Sequence, residues 1–195
     1  TNPGEQSIQN LINDIEKNAV EYRLTDYSQS FELVVDHSDN YLECNSLWEL
    51  TESFHAEIGE ENFILKLNFI NPSNIDNGWN YGLLFRFDQE KGFYQFWMDS
   101  LKNWYLYFNN DDPEKPVQYG TYEGIQTSPD AINKVKIIVD NDLGYLFINN
   151  EFVEKLDLSK RSGSDLILIC TDIYDPKGID GNIIKITDAK IWRIQ

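Results

Sequence analysis

From Phe31 onward, apolar and polar residues alternate in short runs, and alternation with period two predicts strands with one buried face. The predicted strands are Phe31–Asp36, Tyr41–Cys44, Ser53–Ile58, Phe63–Ile70, Tyr81–Phe87, Phe93–Asp99, Trp104–Phe108, Val117–Tyr122, Lys134–Asp140, Tyr145–Ile148, Leu166–Asp172 and Ile183–Ile194. Stretches of Asn, Asp, Gly, Pro and Ser separate them, which is turn chemistry. No helical pattern lies between strands, so a parallel α/β sheet is excluded. Many short strands at this spacing predict an all-β antiparallel sandwich, residues 25–195, as one domain.

The exception is the N-terminus. Ile8, Leu11, Ile12, Ile15, Ala19 and Tyr22 recur at helical spacing and form one apolar stripe. This predicts an amphipathic helix within residues 1–24. Its stripe either docks on the sandwich, over an edge or an open end, or serves a homo-oligomer interface or a junction with an upstream domain.

Several turns follow from residue type. Gln89-Glu90-Lys91-Gly92 joins two strands, with Gly92 free to take positive φ. With that loop, Arg86 faces Gln95 and Leu84 faces Trp97. The alternate set, Leu83, Phe85, Phe87, Tyr94, Phe96 and Met98, then forms the inner face. Ser100–Asn103 is a second turn. Asn149-Asn150 suits a type I′ turn between Leu146-Phe147-Ile148 and Phe152-Val153, because Asn tolerates the left-handed region.

Charge narrows the function. The chain has 33 acidic and 16 basic residues and a net charge of −17. A nucleic-acid backbone would be repelled, as would an anionic membrane surface. No apolar run reaches membrane-spanning length. The opening Thr1-Asn2-Pro3-Gly4 reads as a processed start, and a secreted or cell-surface location is expected. Cys44 and Cys170 each sit in an apolar run, as two buried thiols or as one disulfide closing a long loop.

Five segments, in order, carry a family resemblance. They are Tyr81-Gly82-Leu83-Leu84-Phe85-Arg86-Phe87, Gly92-Phe93-Tyr94-Gln95-Phe96, Asn133-Lys134-Val135-Lys136-Ile137-Ile138-Val139, Leu146-Phe147-Ile148-Asn149-Asn150 and Ile184-Lys185-Ile186-Thr187-Asp188-Ala189-Lys190-Ile191. Over residues 60–194 the chain resembles the concanavalin A-like lectin/glucanase superfamily. Within it, the likeness is to laminin G-like and 3-keto-disaccharide hydrolase-type jelly rolls. Asn150 departs from the pattern, standing where Gly is usual. The resemblance implies two curved antiparallel sheets face to face, carbohydrate binding or adhesion, and in many members a structural calcium.

The glycosidases of that superfamily carry closely spaced acidic residues on one strand face, as acid and nucleophile. Glu49, Glu52 and Glu57 are not spaced for one face, so catalysis is not expected to be the main role. His37 and His55 lie in different segments without a nucleophile turn. The expected site is the outer face of the central sheet, with Arg86, Gln95, Trp97, Tyr105 and Tyr107. Aromatic rings there would cover the apolar faces of a sugar, and Arg and amide groups would bond its hydroxyls. Trp79, in the loop Asn77-Gly78-Trp79-Asn80, is expected as an exposed aromatic at the rim. For calcium the candidate ligands are Asp172, Asp175, Asp180 and Asp188, loop carboxylates near Gly178 and Gly181. The expected partner is a glycan or a protein surface. A structural, self-assembling role and a glycoside-cleaving enzyme stand as alternatives.

Overall fold

The computed structural model describes residues 10, 19–21, 41–43, 51–56, 61–76, 78–88, 90–109, 111, 115–163, 166–172 and 183–194. The described strands are β1 (Ala19–Glu21), β2 (Tyr41–Glu43), β3 (Thr51–Ala56), β4 (Phe63–Ile70), β5 (Asn80–Asp88), β6 (Gly92–Asp99) and β7 (Asn103–Phe108). They continue with β8 (Gln118–Thr121), β9 (Ile132–Asp140), β10 (Leu143–Ile148), β11 (Glu151–Asp157), β12 (Leu166–Asp172) and β13 (Ile183–Ile194). The first sheet runs β1-β13-β4-β9-β10-β11, with β2 also paired to β13. The second runs β3-β12-β5-β6-β7-β8. Every described pairing is antiparallel. The expected strand Phe31–Asp36 lies outside the described residues.

Alternation builds the core. Phe63, Leu65, Leu67 and Phe69 of β4 meet Tyr81, Leu83 and Phe85 of β5 in one buried cluster. Phe69 stacks on Tyr81 with ring centroids 4.2 Å apart, and Phe63 meets Phe85 edge-on at 6.4 Å. These contacts join the two sheets into an all-β sandwich. Beside them, Asn71, Tyr81 and Asn133 form a buried polar knot. Asn133 Nδ2 donates to the Tyr81 hydroxyl at 2.7 Å, and that hydroxyl donates to Asn71 Oδ1 at 3.1 Å. Burial drives the Tyr81 pKa far up, opposed in part by the Asn133 bond.

The turn residues act as their chemistry predicts. Asn149 and Asn150 both take positive φ, 54° and 70°, and pair Ile148 with Glu151 as a type I′ turn requires. Gly92 has φ 97° and closes the β5–β6 hairpin opposite Asp88. Asp88 Oδ1 accepts from the Glu90 and Lys91 amides at 2.9 and 3.1 Å, and Lys91 Nζ lies 2.9 Å from Oδ2. The Lys91 bond, first, and these amides lower the Asp88 pKa from 3.8 to about 2. A depressed carboxylate stabilises the fold above its unfolded pKa and loses that contribution as pH falls through the folded one. Urea midpoints of the parent are therefore expected to fall more steeply than those of Asp88→Asn between pH about 4 and 2. Parallel curves over that window would refute the assignment.

The N-terminal expectation needs correcting at its C-terminal end. Ala19–Glu21 is a strand, with Ala19 opposite Ile194 and Glu21 opposite Trp192. Ladder hydrogen bonds to β13 outweigh the weak helical preference of three residues. Asn10 is helical, and of the six stripe positions Ile8, Leu11, Ile12, Ile15 and Tyr22 lie outside the described residues.

Candidate functional site

The outer face of the second sheet is set by the register of β5 to β8. Trp97 lies opposite Gly82 on one side and Tyr105 on the other, and Tyr105 lies opposite Tyr119. Gln95 lies between Leu84 and Tyr107. Trp97, Tyr105 and Tyr119 thus form one row across three adjacent strands, flanked by Gln95 and Tyr107. Trp97, Tyr105, Tyr107 and Gln95 are half-buried, as expected for the open face of a sheet. Tyr119 is 71% exposed at the end of the row, on edge strand β8.

Neighbouring polar groups orient these rings. Trp97 Nε1 donates to Gln95 Oε1 at 3.3 Å. The Tyr105 hydroxyl donates to Asp99 Oδ2 at 3.2 Å. Asp99 is itself held, because Oδ1 accepts from the Leu101 and Asn103 amides at 2.9 and 3.0 Å. The Tyr105 and Tyr107 rings lie 6.1 Å apart with 29° between planes. The result is a preset aromatic surface with amide, carboxylate and hydroxyl groups at its margins.

Four of the six predicted ligand-binding residues share this face: Gln95, Trp97, Tyr105 and Tyr107. Arg86 does not. The hairpin closes one position tighter than expected, at Asp88 opposite Gly92, and a bulge between Phe85 and Asp88 shifts the β5–β6 register by one more, so Leu84, not Arg86, faces Gln95, and Gly82, not Leu84, faces Trp97. Arg86 takes φ 52°, turns inward and is 1% exposed. Its Nη1 donates to the carbonyls of Leu158 and Arg161, and its Nη2 to that of Asn141. Desolvation lowers its pKa, with Tyr94 the largest opposing influence. The same bulge sends Phe87 outward, where it packs with Leu84, Phe93 and Trp97 instead of joining the inner set.

Trp79 is not a rim aromatic either. It is buried and stacked on Tyr81, ring centroids 4.5 Å apart and nearly coplanar at 3°. The backbone bond from Ser100 N to Trp79 O draws the loop inward. Tyr119, which the sequence reading did not single out, completes the row. Its signal was available: extending the Trp97–Tyr105 pairing one strand further reaches it.

Of the calcium candidates, Asp188 is exposed in the β13 bulge with φ 53°, and accepts from Asn68 Nδ2 at 2.8 Å. Asp172 ends β12, opposite Asn80. Asp175 and Asp180 lie outside the described residues, as do Cys44 and His37. Among the described residues, no three His, Cys, Asp or Glu side chains are grouped to hold a metal ion. Nor does any described helix have the length and apolarity to cross a membrane.

No protein-family model and no curated protein matches the chain. Solved structures do. Sheep galectin-11, in complex with glycerol, aligns with a TM-score of 0.53 at 13% identity, over 71% of this chain and 96% of its own. The likeness is one of fold. Chicken galectin 2 gives 0.50 at 8% identity, over 72% and 98%. The endo-β-1,3-glucanase from Pyrococcus furiosus gives 0.51 at 10% identity, over 75% of this chain and 65% of the glucanase. The shared architecture is a sandwich of two antiparallel sheets.

Proposed function

We propose that this domain binds carbohydrate on the outer face of its second sheet, as a recognition or adhesion module. The observation that carries the reading is the in-register row Trp97–Tyr105–Tyr119. Sugars present apolar C–H faces that aromatic rings cover, and hydroxyls that amides and carboxylates bond. This face offers both, with Gln95 and Asp99 beside the rings. The lectin-type fold supports the reading. At a strand spacing of about 4.8 Å, the row extends for about 10 Å, room for roughly two pyranose rings. A secreted or surface location belongs to the same proposal.

The test is a glycan array followed by titration calorimetry on the best binder. Trp97→Ala is expected to weaken binding about tenfold or more, or about 1.4 kcal/mol. Tyr119→Ala is expected to weaken oligosaccharides but not single sugars. A folded chain that binds no glycan, or an unaffected Trp97→Ala, overturns the proposal.

A further inference from the structure

The two sheets differ in their positive charge. Among the described strands of the second sheet, the only Lys or Arg is Arg86. In the first sheet β4, β9, β11 and β13 all carry Lys. Arg86 is itself turned inward, buried and bonded to three carbonyls. Lys91 and Lys102 lie in the turns on either side of β6, and each is held by a carboxylate. Lys91 Nζ is 2.9 Å from Asp88, and Lys102 Nζ is 2.8 Å from Glu123.

Acidic positions accompany the aromatic row instead. In register, the row of Trp97 continues through Gly82 and Cys170 to Glu52. The adjoining row on the same face runs Asp172, Asn80, Asp99. Asp99 Oδ2 accepts from the Tyr105 hydroxyl at 3.2 Å and from Asn103 Nδ2 at 3.3 Å, so a carboxylate stands directly beside the rings. Two donors of the face are committed to protein acceptors: Trp97 Nε1 to Gln95, and the Tyr105 hydroxyl to Asp99. A sulfate or carboxylate group needs a cation or a set of free donors. A sugar hydroxyl can also donate, and this face supplies acceptors for it.

We propose that this face selects neutral glycans and excludes those bearing carboxylate or sulfate groups, with Asp99 setting the preference. The inference rests on the carbohydrate reading above and names its ligand class. A charged group on a sugar stacked against Tyr105 would sit near the Asp99 carboxylate. At about 6 Å, repulsion between two unit charges weakens binding about threefold in water and about a hundredfold at the effective dielectric of a protein surface. Salt screens such a repulsion, whereas it does not change the size of the group.

The experiment prints hexose disaccharides to tetrasaccharides in matched forms: neutral, sulfated at C6, and oxidised at C6 to the uronate. The full chain is applied at about 20 mM and about 500 mM salt. The neutral form is expected to bind about tenfold tighter at low salt, and the ratio to fall to about threefold or less at high salt. Asp99→Asn is expected to cut the low-salt ratio in the same way, since asparagine keeps an acceptor for the turn amides but loses the charge. The salt series on the parent chain tests the same point without a substitution. Acidic forms bound as tightly as neutral ones, or tighter, overturn the proposal and leave the carbohydrate reading standing. A neutral preference unmoved by salt and by Asp99→Asn also overturns it, because size and not charge would then exclude the acidic group. No binding of any form overturns both readings.

Discussion

Replacing Arg86 with methionine is expected to lower the unfolding free energy by about 3 to 5 kcal/mol. The guanidinium is almost wholly buried and reaches three carbonyls, those of Asn141, Leu158 and Arg161. These lie in the β9–β10 connection and in the segment after β11, so one side chain on β5 ties two loops to the second sheet. Methionine fills much of the volume but leaves all three acceptors without this donor. Urea unfolding should show a lower midpoint at unchanged m-value. Arg86→Lys is expected to recover only part of the loss, because an ammonium cannot present a planar fork to acceptors on separate loops. Equal stability of parent and Arg86→Met would show that the loops are held by other contacts. Glycan binding at the outer face should survive in the folded fraction, since Arg86 is no part of it.

Gly82→Ala is the second large effect. A Cβ at Gly82 would lie 1.8 Å from the Phe96 carbonyl oxygen and 3.0 Å from the Trp97 Cα. Those atoms belong to the backbone of β6, so no side-chain rotation relieves the clash. Gly82 pairs directly with Trp97 at the centre of the second sheet, and the two strands must separate to admit a methyl group. A loss of about 3 kcal/mol or more is expected, or roughly 6–12 °C in melting temperature for a chain this long. Near-UV circular dichroism should change with it, because Trp97 moves. An alanine variant that melts with the parent would refute the close approach.

Local chemistry made most of the fold legible in the sequence. Leu83, Phe85, Tyr94, Phe96 and Met98 fall inside as alternation predicts, and Asn149-Asn150 turns as its residue types predict. What alternation cannot register is a bulge. One inserted position in β5 exchanged the faces of Arg86 and Phe87, so a charged residue that reads as outward became buried and bonded to three carbonyls. Nothing in the local sequence marks it, because the driving force is the set of carbonyls presented by distant loops. Trp79 misled for a related reason: a Gly-containing loop reads as exposed, while its position is set by stacking on Tyr81. Gln95, Trp97, Tyr105 and Tyr107 share one face as alternation predicts, because they sit on unbulged stretches of β6 and β7. Ala19–Glu21 could not be told from helix by spacing, since its partner lies at the far end of the chain.

That last pairing has a consequence for synthesis. In the first sheet β13 lies between β1 and β4, and in the second β12 lies between β3 and β5. Each late strand is the bridge between an early strand and a block of sequential hairpins. On the ribosome, β5 to β8 and β9 to β11 can pair as they emerge, while β1, β2 and β3 have no described ladder partner until residues 166–194 arrive. A nascent chain therefore carries β1, β2 and β3 without a described ladder partner until β12 and β13 emerge, and the described sandwich closes only then.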